Sequence, residues 1–383
     1  MSMKRLPLLL LILVLTLPGC RGRRSAPPEP APEPVLTYPF KELEEMTLRE
    51  KVGQLFNVRI ESLSRYAVTE ADSLMDSTFV HYPCGAITFF GKNVETPEQV
   101  LALTEYLHGL GDNPPLLCID EEGGLVSRVA HDPDFDVQRY PSVASIGASG
   151  NPRDALEAGR TIGTYLRGFG FDINFAPLAD INPEKGKAVM GSRSFGTDPK
   201  VVGKMVSAFL KGLDEAGVVG CMKHYPGHGE ASKDTHRGRA SIDKTWEELL
   251  AYELVPFISG IQAGGRMIMT GHLSFPKITG NTIPTTLSPV MLTEKLRGEL
   301  GFDGVIVTDG LEMASIRGKY PPAKSAVKAV QAGADMLLAP FAYEVAFDAV
   351  VAAVEDGTIS EARIDESVRR ILALKKYIYD QRR

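Results

Sequence analysis

From about residue 40 onward, short apolar runs alternate with longer amphipathic stretches. Eight runs rich in branched and aromatic residues predict strands over residues 53–60, 85–90, 115–120, 171–177, 217–223, 266–271, 304–309 and 335–340. Between them, apolar residues recur with a helical period, as in NPRDALEAGRTIGTYLRGFG, which begins at Asn151. Nearly continuous apolar strands that alternate with helices indicate a parallel sheet buried on both faces.

Eight strand–helix units predict an α/β fold, a single (β/α)8 barrel of the TIM type that covers residues 40–383. This span exceeds the ~250 residues of a usual barrel, so we expect enlarged loops at the C-terminal rim. The longest predicted loops are residues 121–160 and 223–245. An open, doubly wound sheet is the competing interpretation, although no glycine-rich dinucleotide motif follows the first predicted strand.

The first 39 residues have a different character. Lys4 and Arg5 precede an apolar run that ends in LPGC. A basic start, a short apolar run and small residues before a cleavage point are typical of a secretory signal, because a membrane-spanning helix needs ~20 apolar residues. LPGC resembles a bacterial lipobox, so residues 1–20 are predicted to be a lipoprotein signal peptide and Cys20 the lipidated residue. A secreted protein in which Cys20 has no role is the alternative.

The predicted anchor sets an expectation for localisation. Prolines in residues 21–39 favour polyproline II and predict a semi-rigid tether between the lipid and the barrel. We therefore expect an exported protein that is lipid-anchored to the cell envelope. Arg21 is not the aspartate of a retention signal, which favours the outer membrane or cell surface.

Composition narrows the function classes. Hydrophobic residues make up 44% of the 383 residues, charged residues 23%, and the net charge is −6, as in an ordinary globular protein. A nucleic-acid partner is not expected, because it would require a basic face. The remaining cysteines, Cys84, Cys118 and Cys221, are odd in number and are interpreted as buried thiols.

Polar residues follow most of the predicted strands at their carboxyl ends. Asp120 ends the third strand, Asp180 follows the fourth, Lys223 and His224 end the fifth, and Asp309 ends the seventh. In a barrel these positions converge on the carboxyl-terminal rim, where barrel enzymes place their catalytic residues. The pattern therefore predicts a site at this rim.

The segment KHYPGHGEASKDTHRG, residues 223–238, admits a metal-site interpretation. His224, His228 and His236, with more distant rim residues, provide imidazole and carboxylate ligands. The first strand has no His-x-His pair, and the glycines beside His228 disfavour a helix that would present two histidines together. A metal-dependent barrel hydrolase is therefore kept as an alternative of another class. Its candidate ligands are His224, His228, His236, His272, Asp309 and Asp120.

The same segment also admits a proton-transfer interpretation. Asp234 and His236 are two residues apart, so in extended backbone their side chains point to the same side. A carboxylate beside an imidazole fixes its tautomer and favours the protonated form. With Asp309 as a nucleophile, this pair would supply the proton donor that a retaining glycosidase requires. A loop hydrogen bond without catalytic meaning is the alternative.

KHYPGHGEASKDTH, followed by GFDGVIVTDGLEM, resembles the β-N-acetylglucosaminidase branch of glycoside hydrolase family 3. The resemblance runs from about residue 46 to 375 and includes LREKVGQLF, IDEEGGLVSR, NFAPLADI, GSRSFG and MIMTGHLSFP in this order. It implies a single barrel and an exo-acting, retaining β-N-acetylglucosaminidase that needs neither metal nor cofactor. The implied partner is a carbohydrate with terminal N-acetylglucosamine, from peptidoglycan fragments, chito-oligosaccharides or host glycans.

The resemblance also implies residue roles. Asp309 would be the nucleophile that forms a covalent glycosyl-enzyme, His236 the general acid/base and Asp234 its partner. The residues implied to bind the terminal sugar are Asp120, Arg128, Arg193, Lys223 and His224. For Arg128 and Arg193, a structural pair with a rim carboxylate is the alternative role.

Two further functions remain open. A histidine in place of a carboxylate acid/base admits an anionic acceptor without like-charge repulsion, so a β-N-acetylglucosaminide phosphorylase is one alternative. An inactive sugar-binding surface lipoprotein is the other, and the presence of Asp309, Asp234 and His236 argues against it.

Overall fold

The structure is a computed structural model that describes residues 40–64, 66, 68–183, 189–229 and 240–382. Each predicted apolar run contains or overlaps one strand of a parallel sheet, and the fifth strand extends two residues past its run. The strands are β1 Phe56–Arg59, β2 Ala86–Phe89, β3 Leu116–Ile119, β4 Ile173–Asn174, β5 Val219–Tyr225, β6 Met267–Thr270, β7 Val305–Thr308 and β8 Leu337–Leu338.

The sheet closes on itself. Strands β1 to β7 neighbour one another in chain order, and β8 pairs in parallel with β1. A parallel bridge between Val307 and Met336 joins β7 to the start of β8. The N–H of Met336 also donates to the carbonyl oxygen of Ile306 at 3.0 Å. The predicted (β/α)8 barrel is confirmed, and the open doubly wound sheet is wrong.

Helices fill the intervals between the strands. They are α1 Leu48–Gln54, α2 Glu61–Ser64, α3 Ser73–His81, α4 Pro97–His108, α5 Val143–Gly147, α6 Pro152–Gly168, α7 Pro199–Glu215, α8 Trp246–Ala251, α9 Val255–Gln262, α10 Pro276–Thr279, α11 Ala314–Arg317, α12 Pro322–Ala332, α13 Tyr343–Glu355 and α14 Glu361–Gln381. A π-helix, Val290–Glu299, follows β6. Two short strands, Ala240–Ser241 and Leu273–Ser274, pair in parallel outside the barrel sheet.

Local sequence signals start the long helices. The carboxylate of Asp198 accepts hydrogen bonds from the N–H groups of Lys200 and Val201, and Pro199 occupies the first turn of α7. Asn151 and Pro152 begin α6 in the same way. Apolar residues at helical spacing then bury one face of α7 in the core, namely Val202, Met205, Val206, Phe209, Leu210 and Leu213.

Helix α14 packs against the end of the barrel at which the strands begin. Its buried Lys375 donates a hydrogen bond of 2.7 Å to the carbonyl oxygen of Pro114, just before β3. Arg382, immediately after the helix, pairs with Asp172, just before β4. A ligand cavity between the strand ends is therefore expected at the opposite end of the barrel.

Two further observations concern the cysteines and the apolar character of the helices. Cys84, Cys118 and Cys221 are buried free thiols, as interpreted from the sequence. Within the described ranges, no helix has both the length and the apolar composition needed to cross a membrane.

Candidate active site

The carboxyl ends of the strands surround a cavity of about 270 Å³. This volume lies just below the ~300–1,000 Å³ of sites for drug-sized ligands, so it suits a ligand of one ring. Six residues implied by the resemblance fall within the described ranges, and all six line this cavity: Asp120, Arg128, Arg193, Lys223, His224 and Asp309.

The side chain of Lys223, near the end of β5, lies at the floor of the cavity and contacts two carboxylates. Its Nζ lies 2.6 Å from Oδ1 of Asp120 and 2.7 Å from Oε1 of Glu122, both from the loop after β3. Burial by itself lowers the pKa of Lys223, but the two carboxylates outweigh it and raise the pKa above its usual value. Burial likewise opposes ionisation of Asp120, yet Lys223 and Arg128 hold the pKa of Asp120 below its usual value. The cavity floor is therefore a set of fixed charges.

Glu122 was not singled out from the sequence. It is buried, and it binds both oxygens to Arg193, with Nε to Oε2 at 2.9 Å and Nη2 to Oε1 at 2.7 Å. Burial raises the pKa of Glu122, but Lys223 and Arg193 outweigh this effect and lower it. The sequence feature that could have identified Glu122 is the run of three acidic residues in IDEEGG, directly after β3. Arg193 is thus paired with a rim carboxylate and also faces the cavity.

Glu121, the neighbour of Glu122, positions the loop that carries Arg128. Its buried carboxylate accepts the N–H groups of Arg128 at 2.6 Å and Val129 at 2.8 Å. The guanidinium of Arg128 then lies with Nη2 at 3.7 Å from Oδ2 of Asp120. The loop after β3 therefore places a cation beside the charged cavity floor.

Asp180 organises the start of the segment after β5. Its Oδ2 accepts the N–H of His224 at 3.1 Å and lies 2.8 Å from Nδ1 of the same ring. Its Oδ1 accepts the N–H of His228 at 2.7 Å. Burial raises the pKa of Asp180, but the two imidazoles outweigh it and keep the carboxyl ionised. Because Nδ1 of His224 faces this carboxylate, the neutral ring is a donor through Nδ1 and an acceptor through Nε2.

The metal-site hypothesis can be compared with this geometry. Among the described residues, one group of three potential ligands lies within 4.8 Å: Asp180, His224 and His228. Asp180 and His224 already satisfy one another through hydrogen bonds. His272 bonds through Nδ1 to Thr286 at 2.8 Å and through Nε2 to the Gly310 carbonyl at 3.0 Å. With both nitrogens engaged, His272 supports backbone and is not arranged as a ligand.

Asp309 lies at the carboxyl end of β7, half-buried and with its position fixed by backbone contacts. Its N–H donates to the carbonyl oxygen of Thr270 at 3.0 Å, and its Oδ1 accepts the N–H of Gly310 at 2.7 Å. The carbonyl of Gly310 is the group that His272 binds. The carboxylate is thus presented to the cavity from a rigid strand end.

The part of the rim beyond Asp309 contains residues that the sequence did not indicate. Glu312 and Met313 line the cavity after β7, and Phe90 lines it after β2. Arg59, at the end of β1, forms an ion pair with Glu312 and lies 4.3 Å from the centroid of the Phe90 ring. The predicted Asp234, His236 and Cys20 lie outside the described residues.

A closed parallel barrel with a small, highly charged cavity at its carboxyl-terminal rim defines a (β/α)8 barrel protein whose cavity suits a compact polar ligand. The chain belongs to glycosyl hydrolase family 3, because residues 47–374 match the family's N-terminal domain, described as "Glycosyl hydrolase family 3 N terminal domain". The family resemblance stated from the sequence motifs is confirmed.

Individual relatives agree with this assignment. Beta-hexosaminidase A of Pseudoalteromonas piscicida is 30% identical over 340 residues, which cover 81% of this chain and 56% of that protein. Beta-hexosaminidase of Tolumonas auensis is 35% identical over 264 residues, which cover 68% of this chain and 76% of that protein. The structure of a family 3 β-N-acetylglucosaminidase from Paenibacillus sp. str. FPU-7 superposes with a TM-score of 0.82 at 39% identity, covering 87% of this chain and 63% of that one. The chain thus spans less than two thirds of the Pseudoalteromonas and Paenibacillus proteins.

Proposed function

We propose that the protein is an exo-acting, retaining β-N-acetylglucosaminidase that releases terminal N-acetylglucosamine through a covalent glycosyl-enzyme. The observation that carries the proposal is the shared cavity of Asp309 and the charged cluster around Lys223. The names of the relatives, β-hexosaminidase and β-N-acetylglucosaminidase, support the choice of sugar.

The charged floor is suited to hold the sugar. Asp120 accepts hydrogen bonds from hydroxyl groups, and Arg128, Arg193 and Lys223 donate them, all from positions already fixed by ion pairs. Fixed charges strengthen their hydrogen bonds as the sugar gains oxocarbenium character, so they favour the transition state over the bound substrate. A cavity of about 270 Å³ has room for one terminal ring, which supports exo action.

The chemistry then proceeds in two steps. The carboxylate of Asp309 attacks the anomeric carbon while the bond to the aglycone oxygen breaks, and this oxygen takes the proton of His236, oriented by Asp234. In the second step the same imidazole removes a proton from water, and this water releases the sugar from the ester with Asp309. Two displacements give net retention of the anomeric configuration.

The biological setting is part of the proposal. The LPGC motif supports export and lipidation at Cys20, with residues 21–39 as the tether to the cell envelope. Peptidoglycan fragments or chito-oligosaccharides in the envelope are then the accessible substrates. Incorporation of labelled palmitate into the wild type, and its loss in Cys20→Ala, tests the anchor independently of activity.

The test of the enzymatic proposal is hydrolysis of 4-nitrophenyl β-N-acetylglucosaminide, with and without EDTA. Wild type is expected to be active and insensitive to EDTA, and Asp309→Ala is expected to lose at least ~1,000-fold in kcat. Asp303→Asn, an exposed aspartate in the loop before β7, is the matched control and is expected to keep full activity.

Three other outcomes would redirect the assignment. Activity abolished by EDTA would favour the metal-dependent hydrolase, and no hydrolysis by any variant would favour a sugar-binding lipoprotein. Faster turnover with added phosphate, together with a sugar 1-phosphate product, would indicate phosphorolysis.

The retaining mechanism has its own test. Proton NMR of the first-formed sugar should show the β-anomer, since an inverting enzyme releases the α-anomer.

A further inference from the structure

We propose that the end of the barrel at which the strands begin docks on an anionic lipid bilayer, so that the catalytic cavity faces away from the membrane. The docking surface, called the basic face below, consists of Arg266, Arg369 and Arg370 around Tyr377. The proposal rests on the cell-envelope setting of the proposed function and does not depend on the reaction that the protein catalyses.

The basic face is formed by the loop before β6 and by α14. Its four side chains line one cavity of about 490 Å³ together with the loop before β7. The guanidinium carbon of Arg266 lies 3.4 Å from the centroid of the Tyr377 ring, so the ring holds this cation in place. Arg266 and Arg369 are exposed, and Asp303 is the one acidic residue among the described residues that line the cavity. Three cations and one acid therefore border the same concave surface.

The buried aspartate beneath the basic face does not neutralise its cations. Asp335, just before β8, is shared by Arg370 at 3.2 Å, Arg363 at 3.9 Å and Arg297 in a closer contact. Burial, together with Arg370 and Arg363, lowers the pKa of Arg297 to about 10, although Asp335 opposes this effect. Because one carboxylate cannot balance three guanidinium groups, positive charge remains at this end of a chain whose net charge is −6.

Most acidic residues of α14 are paired with lysines outside the basic face: Glu361 and Asp365 with Lys51, and Asp380 with Lys376. The fourth acid of the helix, Glu366, acts on Arg363 and not on the exposed Arg369. The basic face therefore keeps its positive charge for a partner. An anionic bilayer attracts each lysine or arginine that lies near its surface, within about one Debye length.

The described chain begins at the same end of the barrel. The ring of Phe40 lies 6.4 Å from that of Tyr379 on α14, and Nζ of Lys41 lies 3.5 Å from Oδ2 of Asp112 in the loop before β3. The predicted tether, residues 21–39, is therefore joined to the barrel at the end opposite Asp309. Docking of the basic face leaves the cavity open toward glycans outside the membrane.

The experiment measures which end of the barrel lies near the bilayer. The whole chain is reconstituted in vesicles of phosphatidylcholine alone or mixed with phosphatidylglycerol, where its apolar N-terminal run or a lipid on Cys20 attaches it. A fluorophore is introduced as an unnatural amino acid at Gln262, which lines a neighbouring cavity with Arg266, or at Val345, on the first turn of α13 after β8. A lipid with a nitroxide on its headgroup quenches whichever fluorophore lies close to the bilayer.

Two double variants test the surface. Arg266→Gln with Arg369→Gln removes two exposed cations of the basic face. Lys319→Gln with Lys324→Gln is the matched control, because it removes two exposed cations from the segment after β7. Thermal melting followed by circular dichroism shows that each variant is folded.

In anionic vesicles, quenching at position 262 should exceed quenching at position 345, and it should fall to its neutral-vesicle value at ~0.5 M salt. The double arginine variant should lower the ratio of docked to undocked protein, measured by this quenching, by about 30-fold. The double lysine variant should keep the wild-type ratio.

Equal quenching at position 262 in both kinds of vesicle, or stronger quenching at position 345, overturns the docking. An arginine variant with wild-type quenching, or an equal loss in the lysine variant, also overturns it. Absence of palmitate labelling overturns the lipid on Cys20, and absence of hydrolysis overturns the enzymatic proposal. Neither of these failures alters the quenching measurement, so the three proposals are distinguishable.

Discussion

Arg193 and Glu122 form a bidentate ion pair beside the cavity, with N–O distances of 2.9 and 2.7 Å, although 71 positions separate them in the chain. The pair joins the loop after β4 to the loop after β3. Because Glu122 also binds Lys223 from β5, a single buried carboxylate connects three neighbouring units of the barrel. The groups that would bind sugar are therefore held in place before any ligand arrives.

Glu122→Gln should weaken both folding and catalysis. The substitution leaves the buried Arg193 without its paired carboxylate and leaves Lys223 with Asp120 alone, and breaking a buried pair typically costs about 3–5 kcal/mol of unfolding free energy. Urea denaturation measures the loss of stability. Steady-state kinetics measure the loss of catalysis, and kcat/KM should fall at least tenfold. Glu157→Gln, at a surface pair with Arg160, is the control and should leave both quantities unchanged. A Glu122→Gln variant as stable as the control would show that the pair contributes nothing to the fold.

Asp180→Asn should lower kcat/KM by about 10- to 100-fold, by analogy with the cost of changing a residue that orients a histidine in a metal site. The carboxylate accepts the N–H groups of His224 and His228 and the ring N–H of His224, and an amide cannot accept all of them. The start of the segment that leads to His236 should therefore shift. Steady-state kinetics provide the measurement, with the exposed Asp112→Asn as control. Unchanged kinetics would indicate that Asp180 has no positioning role.

Gly147→Ala should displace the segment that presents Arg193. A Cβ at Gly147, on α5, would lie 1.8 Å from the carbonyl oxygen of Phe195, which only a backbone shift can relieve. We expect a loss of about 1–3 kcal/mol in unfolding free energy and a higher KM. Gly168→Ala, on α6, is the matched control: its Cβ would meet no atom within 4 Å, so stability should stay equal or rise. Equal melting temperatures for the two variants would contradict the clash.

The buried Lys375 should impose a pH dependence on stability. Burial lowers the pKa of Lys375 from 10.5 to about 7. Between these values the unfolded chain holds a proton that the folded protein has released, so the unfolding free energy rises with pH. The penalty for burying the charge is complete below pH 7 and disappears toward pH 10.5.

Lys375→Met should remove this rise, because methionine fills a similar volume without a charge. The measurement is urea denaturation at pH 7 and pH 9.5, with the exposed Lys376→Met as control. The difference in unfolding free energy between the two pH values should be smaller in Lys375→Met than in wild type and unchanged in the control. Identical pH dependence in all three proteins would show that Lys375 keeps an ordinary pKa in the fold.

Periodicity and strand-end residues were enough to predict much of this molecule. Apolar runs of four to eight residues that alternate with amphipathic stretches specify a parallel sheet, because strands buried on both faces must be apolar throughout. Once the strands are placed, Asp120, Lys223 and Asp309 follow as rim residues, since the carboxyl ends of parallel strands meet at one end of a barrel. The eight strands and four of the six cavity residues, Asp120, Lys223, His224 and Asp309, were located in this way, whereas Arg128 and Arg193 followed from the family resemblance.

The partners of those residues depended on the tertiary structure. Nothing in the chain pairs Glu122 with Arg193 across 71 positions, or seats Arg317 on the ring of Phe341, because such contacts depend on loop paths that have no period. The sequence by itself determined the barrel, its family and the rim charges, since these depend on local patterns and motifs. Only the tertiary structure decided which charges neutralise one another and which side chains pack together, because these depend on distances between distant segments.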